Sequence, residues 1–142
     1  MPELLCSPPF YAYISADLLA PGVAGDMTAL CNHKLIGQMR HTEAWAEYMQ
    51  IVGLAFSPDM IGGNHSMLTT AAQAVLNGSG IALLPDFIAS RHVLAGAMRR
   101  VCSTAYRPPH SSYYLTSKKS VRERPIYLAF RKWLADLCGT LN

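Results

Sequence analysis

The chain has 142 residues, of which 51% are hydrophobic and 15% are charged, and its formal net charge is +3. These values exclude an intrinsically disordered chain, because disordered chains have fewer apolar residues and more charge. The length fits one domain that buries roughly two thirds of its unfolded surface, so folding requires neither a metal nor disulfides.

The four cysteines are far apart and form no C-x-x-C pair: Cys6, Cys31, Cys102 and Cys138. This spacing favours reduced thiols over a zinc site or a disulfide framework. The first residues lack the basic and long apolar regions of a secretion signal, and no apolar run approaches the about 18 residues of a membrane span. We therefore expect a cytoplasmic protein with no metal and no membrane contact.

Basic residues concentrate near the end of the chain. Seven of the 12 lie there, against the single acid Glu123: Arg107, Lys118, Lys119, Arg122, Arg124, Arg131 and Lys132. No helix-turn-helix pattern or interleaved aromatic pattern accompanies them, so we interpret them as a solvated face and expect no direct DNA binding by this chain.

The first elements in chain order are short. Residues 4–6 form an apolar run stopped by Ser-Pro-Pro, which indicates a strand end. Residues 15–19 predict a short helix, residues 26–30 a single helical turn, and residues 34–38 a strand.

A longer helix is predicted from Thr42, as N-cap, to Val52. Trp45, Tyr48, Met49 and Val52 have the i, i+3, i+4, i+7 spacing of one helical face, and Gly53 supplies the stop. Such a stripe at helical spacing is typical of core packing rather than of a ligand pocket.

The most informative segment begins at Ser66. Ser66 is predicted to cap a helix whose apolar face contains Leu68, Ala71, Ala72, Val75 and Leu76, and Asn77-Gly78 is predicted to end it. Residues 81–84 then form a continuous apolar run closed by Pro85, as in a central parallel strand that is buried on both faces.

The remaining elements repeat this alternation. Asp86 is predicted to cap a helix that runs to Leu94, with a strand at residues 98–102 after it. A strand at residues 112–116 follows, and a last helix is predicted from Pro125 to a stop at Gly139. Helices alternating with short apolar strands predict an α/β class with a largely parallel sheet. The last helix places five apolar residues on one face: Ile126, Phe130, Trp133, Leu134 and Leu137.

The sequence contains no recognisable catalytic or nucleotide-binding motif. It lacks the G-x-S-x-G elbow, the phosphate-binding loops and the HExxH pair, and its histidines are scattered. We therefore expect no catalytic residue and no cofactor. The exposed N–H groups of the helix start could hold an anion at Ser66, Met67 and Leu68, with His65 at the mouth of the pocket. The alternative is that Ser66 only caps its own helix.

Residues 66–85 resemble the helix, G-x-G-[IV]-A-x-x-P turn and strand of LysR-type transcriptional regulators. Further pieces of the family's pattern occur in the family's order: residues 5–8, 43–48, 94–98, 113–115 and 124–134. The resemblance covers nearly the whole chain, and it is closest to the subgroup that includes the glycine-cleavage activator and the β-lactamase regulator. Family members carry a winged helix-turn-helix before this domain, and the resemblance implies that this module and the first half of the first subdomain are absent here.

The resemblance implies a type 2 periplasmic-binding-protein-like effector domain with the small-molecule effector held between two subdomains. Residues 1–8 would be a hinge strand from the first subdomain, residues 9–110 the second subdomain, and residues 111–142 the returning strand and helix of the first. It also implies effector contacts at Ser66, Leu68 and Tyr113, although Leu68 is apolar where the subgroup has a polar residue.

The sequence leaves three functions open. The first is the effector-sensing part of a transcription regulator that binds an anionic or amino-acid-like compound. The second is a free-standing small-solute-binding protein, and the third is a hydrolase or transferase with an unrecognised site. Because the apolar face of the last helix has no evident cover, we also expect self-association.

Overall fold

A computed structural model describes residues 1–19 and 27–141. The chain divides into two compact units, which we call the central unit, Phe10–Tyr106, and the terminal unit, Met1–Pro9 together with Arg107–Asn142. The two units are described separately below.

The central unit contains a five-stranded sheet in the order β4-β3-β5-β2-β6. Its strands are β2 (Phe10–Ser15), β3 (Leu35–Gln38), β4 (Ile61–His65), β5 (Ile81–Pro85) and β6 (Met98–Arg100). β3 pairs parallel with both β4 and β5, whereas β2 pairs antiparallel with both β5 and β6. The expected parallel sheet is therefore correct for three neighbouring strands, but β2 runs against them.

Helices cover the sheet: α1 (Ala29–Asn32), α2 (Ala44–Val52), α3 (Leu68–Leu76) and α4 (Asp86–Leu94). Because successive strand residues point to opposite faces, β5 supplies Ile81 and Leu83 to one apolar cluster and Ala82 and Leu84 to the other. Every residue of β5 is buried, as its continuous apolar run predicts.

Different helices contribute side chains to the two apolar clusters. The first contains the predicted stripe of α2, with Trp45, Tyr48 and Met49 all buried, and the Trp45 indole donates a hydrogen bond to the Ile36 carbonyl at 2.8 Å. The second contains the alanines and Val75 of α3 and Ala89 of α4. The predicted core role of the α2 stripe is therefore confirmed for these three residues.

The first residues of α2 and α4 differ from the predictions. Thr42 is not the N-cap of α2, because a turn closed by the Ala44 N–H and the His41 carbonyl precedes the helix and Glu43 is the residue before it. Asp86 is likewise the first residue of α4 rather than its cap. The predicted stops are confirmed, since Gly53 and Gly78 have φ values of 78° and 76°, which glycine adopts without strain.

Several short elements were predicted differently or missed. A 3-10 turn occupies Ala16–Leu18 where a short helix was expected, and α1 lies slightly beyond the expected turn at residues 26–30, of which Asp26 is outside the described residues. The strand expected at 98–102 ends at Arg100. The strands β2 and β4 were not predicted.

The terminal unit is a two-stranded ladder and a helix. β1 (Glu3–Cys6) pairs antiparallel with β7 (Tyr113–Leu115), and α5 (Pro125–Gly139) packs on β1. Arg131 of α5 holds Glu3 of β1 through two hydrogen bonds of 2.6 Å, a bidentate pair that fixes their relative orientation. The predicted bounds of α5, with Pro125 at its start and Gly139 at its end, are confirmed.

Candidate functional site

The candidate site lies where the parallel strands of the central unit end. Gln38 ends β3 and is in register with His65, the last residue of β4. The Gln38 side chain donates to the Leu83 carbonyl at 3.2 Å, which ties the end of β3 to β5. In α/β sheets the carboxyl edge of parallel strands is where ligands usually bind, and α3 begins at this edge.

The start of α3 is open rather than capped by a side chain. Met67 is the N-cap, with extended backbone (φ −129°, ψ 146°), and its side chain does not cap the helix. Its carbonyl accepts the Ala71 N–H at 3.1 Å. The amides of Leu68, Thr69 and Thr70 precede that first helical bond, so they have no acceptor within the helix. These amides and the helix dipole together favour an anion.

Ser66 is not the cap that its position predicted. It lies in an exposed bend one residue before the N-cap. The hydroxyl of Thr70 donates back to the Met67 carbonyl at 2.8 Å. Ser66 is therefore accessible to a ligand without giving up a capping bond.

The neighbours of Ser66 offer different groups. His65 is half-buried, and its carbonyl accepts the Met39 N–H at 3.0 Å. The Met67 side chain is 60% exposed. Leu68 is half-buried against both apolar clusters, so its backbone N–H is the group that it can offer to a ligand.

Tyr113 belongs to the terminal unit, where it lies in β7 opposite Cys6. It is 46% exposed, and burial of the rest of the ring followed by the nearby Cys6 raises its pKa. The structure thus brings together residues 65–68 in the central unit and places Tyr113 in the other unit.

A polar cluster that the sequence did not suggest lies in the central unit at the start of α4. The Tyr13 hydroxyl donates to Asp86 Oδ1 at 2.6 Å, Arg100 Nη2 donates to the same oxygen at 2.8 Å, and Arg100 Nε donates to the Tyr13 hydroxyl at 3.2 Å. The Arg100 guanidinium also lies 3.7 Å from the centre of the Tyr11 ring. Its members come from β2, α4 and β6, so only the folded sheet assembles them.

The three groups shift one another's ionisation. Burial raises the pKa of Tyr13 to about 12. The bond to Asp86 adds to this rise, and Arg100 opposes it. The bond from Tyr13 lowers the pKa of Asp86. Burial opposes this change, and Arg100 lowers the pKa further. Burial alone would lower the pKa of Arg100, but its bonds to Tyr13 and Asp86 raise it. Together these directions describe a neutral phenol between a carboxylate and a guanidinium.

Two surface pockets lie beside α4. One, of about 510 Å³, lies over the polar cluster and is lined by Tyr13, Asp86, Ser90, Val93, Leu94, Arg99 and Arg100. The other, of about 400 Å³, lies between α3 and α4 and is lined by Thr69, Thr70, Ala72, Gln73, Phe87, Ile88, Arg91 and His92. The second pocket reaches the first turn of α3.

The described residues contain neither a metal-ligand cluster nor a membrane-spanning helix. Within residues 1–19 and 27–141, no three His, Cys, Asp or Glu side chains are grouped as metal ligands would be. None of the helices in these ranges has the length and apolar character needed to cross a bilayer.

Comparison with known proteins identifies the family. The model of the LysR substrate binding domain matches residues 3–139. The effector domain of AmpR from Pseudomonas aeruginosa is 25% identical, with a TM-score of 0.76 over 98% of this chain, and the effector binding domain of AmpR from Citrobacter freundii is 21% identical, with a TM-score of 0.77 over 99%. The regulatory domain of CrgA from Neisseria meningitidis is 14% identical, with a TM-score of 0.66 over 97%.

The chain spans 65% of the length of the Pseudomonas aeruginosa domain and 68% of each of the other two. A search of curated proteins found no match. The fold is the α/β, periplasmic-binding-protein-like fold of LysR effector domains, and these domains are regulatory rather than enzymatic. The expected resemblance to LysR-type regulators is confirmed, and the chain belongs to the LysR substrate-binding domain family.

Proposed function

We propose that this chain senses a small anionic or amino-acid-like effector, and that residues 65–68 at the start of α3 form part of the binding surface. The observation that carries the proposal is the uncapped first turn of α3 at the carboxyl edge of three parallel strands. Membership in a family whose domains bind small-molecule effectors supports the same function.

Each residue has a distinct part in this proposal. Ser66 supplies an exposed hydroxyl, and the Leu68 amide supplies a hydrogen-bond donor that no helical carbonyl accepts. Met67 and His65 border the turn, Met67 with an exposed and flexible side chain that adapts to ligand shape. A carboxylate would bind here with its charge near the positive end of the helix dipole.

We propose Tyr113 as a separate effector contact, carried over from the family pattern. We also propose that the central unit corresponds to the second subdomain of the effector domain, and the terminal unit to the strands and helix that belong to the first. The antiparallel strand β2 entering the central sheet directly after Pro9 supports this division.

The proposal is tested by thermal shift of the full chain against a panel of amino acids and small carboxylic acids, since a ligand that binds only the folded state raises Tm. Calorimetric titration of any hit then compares Thr69→Glu with its neutral control Thr69→Gln. Thr69 is exposed in the first turn, so a carboxylate there stabilises the helix but repels an anion.

We expect Thr69→Glu to weaken binding of an anionic hit by about 2- to 5-fold, and Thr69→Gln to leave it unchanged. Ser66→Ala should weaken binding as well. For the second contact, Tyr113→Phe is compared with Tyr114→Phe, its exposed neighbour in β7. No stabilisation by any compound would contradict effector sensing by this chain, and equal binding in all variants would contradict the site.

We further propose that the chain self-associates through α5. Ile126, Phe130, Trp133 and Leu137 are each about half exposed or more, at 79%, 48%, 58% and 49%. Their spacing places them on one stripe of the helix, and the Phe130 and Trp133 rings lie 5.9 Å apart. An exposed apolar stripe of this kind favours association with a second copy.

A further inference from the structure

The terminal unit has almost no apolar core. Its buried residues, among those that the structure describes, are Cys6, Pro8, Pro108 and Cys138. Two of these four buried residues are cysteines.

The two thiols lie against each other. Cys6 is the one buried residue of β1 and Cys138 the one buried residue of α5, at 2% and 8% exposure. Because α5 packs on β1, the two side chains meet between helix and strand, where they share a hydrogen bond.

We propose that Cys6 and Cys138 are a redox-sensitive pair that a hydroperoxide converts into an intramolecular disulfide. This inference does not depend on the proposed effector site, which lies in residues 65–68. Cys31 is exposed, and the Cys102 thiol hydrogen-bonds to the Tyr48 hydroxyl at 2.8 Å in the central unit. Both of these cysteines belong to the central unit.

The reaction with hydrogen peroxide balances in two steps. The Cys138 sulfur, the less covered of the two, attacks one peroxide oxygen; the O–O bond breaks, a sulfenic acid forms and the thiol proton leaves with the other oxygen as water. The Cys6 sulfur then attacks the sulfenic sulfur; the S–S bond forms, the S–O bond breaks and the hydroxyl leaves with the Cys6 proton as a second water. Two electrons pass from the two sulfurs to the peroxide.

The order of attack follows from the environment of the thiols. Burial, and then the hydrogen bond with Cys138, raises the pKa of Cys6, so Cys6 is the slower nucleophile toward peroxide. The resulting link would join the first strand of the chain to its last helix. A cross-link that closes so long a loop restricts the unfolded chain strongly and should stabilise the folded state.

The test uses the full chain with Cys31→Ser and Cys102→Ser, which leaves only the proposed pair. Serine at 102 keeps a hydroxyl partner for Tyr48. After treatment with hydrogen peroxide, we expect an intact monomer that has lost two hydrogens, a proteolytic peptide joining Cys6 to Cys138, and a Tm several degrees above that of the reduced protein. Reduction with dithiothreitol should reverse all three changes.

Wild-type protein is oxidised in parallel, so that the result does not depend on the folding of a variant. Its peptide map should contain the same Cys6–Cys138 link. In the chain with Cys31→Ser and Cys102→Ser, oxygen addition to Cys6 or Cys138 without linkage, linkage between two chains, or a Cys6–Cys138 link that leaves Tm unchanged would each overturn the proposal.

Discussion

The hydroxyl of Tyr13 on β2 donates a 2.6 Å hydrogen bond to the carboxylate of Asp86, the first residue of α4. Tyr13 is fully buried, and on its strand it pairs with Ala82 of β5 on one side and Arg100 of β6 on the other. The bond therefore ties the antiparallel strand to the helix that follows the central parallel strand. This junction is the part of the fold where β2 departs from an all-parallel arrangement.

Tyr13→Phe should destabilise the chain by about 1 to 2 kcal/mol, because it removes the hydroxyl that both Asp86 and Arg100 contact. The cost stays moderate because Arg100 still holds Asp86. Urea unfolding measures the change in midpoint. Tyr114→Phe, at a residue 57% exposed, is the control and should change stability by less than about 0.5 kcal/mol. Equal midpoints for the two variants would contradict the role of the Tyr13 bond.

Asp86 should make stability depend on acid pH. Its pKa is lowered in the folded state, chiefly by the bond from Tyr13, so its contribution is present above the unfolded pKa of about 4 and is lost as pH falls through the folded pKa. The wild type should therefore lose stability more steeply than Asp86→Asn below about pH 4.

The difference should be below about 1 kcal/mol, because the Asp86 side chain is 56% exposed and water screens the charge. Thermal unfolding between mildly acidic and acidic pH measures it. Glu3 and Asp59, whose pKa values are also lowered, are present in both proteins and cancel in the comparison. Parallel pH profiles would show that Asp86 does not contribute.

Gly80→Ala should destabilise the central sheet by more than about 1 kcal/mol. Gly80 has a φ of 154°, and a Cβ there would overlap the Lys34 carbonyl, which accepts the Ile81 N–H at 2.9 Å where β5 joins β3. Gly63→Ala is the matched control, because a Cβ at Gly63 meets nothing within 4 Å. Chemical denaturation should separate the two variants, and a Gly80→Ala protein as stable as Gly63→Ala would contradict the clash.

The sequence predicts those elements whose signals are local. The α3 helix and β5 follow from apolar periodicity, from Gly78 and from a continuous apolar run, and α5 follows from Pro125 and Gly139. Helix starts are less certain, because one residue decides whether a side chain reaches the first turn. Ser66 and Thr42 fit the composition of N-caps but precede the residues that occupy that position.

Elements that depend on distant pairing have no local signal in the sequence. β4 contains two adjacent glycines, and it is a strand because it pairs with β3 rather than because of its own propensity. β2 is buried on both faces and shows no alternation. In the cluster at Asp86, Tyr13 is separated from Asp86 by 73 positions of the chain and from Arg100 by 87. No local motif can therefore predict this cluster.

The apolar stripe of α5 leads to the last prediction. Four exposed side chains over roughly 16 Å of helix axis favour contact with an equivalent stripe, because each removes apolar surface from water when it is covered. We expect the average mass of the full chain, measured by light scattering after gel filtration, to rise with protein concentration. Replacing both Phe130 and Trp133 with Glu should hold the chain at the monomer mass.

Lys132→Glu is the control for that charge change, since Lys132 lies on the same helix but away from the stripe. It should associate like the wild type, because only substitutions within the stripe place charge in the contact. A wild-type chain that remains monomeric at high concentration would contradict self-association. If the chain with Phe130→Glu and Trp133→Glu still associates, the copies meet through another surface. That result would contradict the role proposed for the α5 stripe.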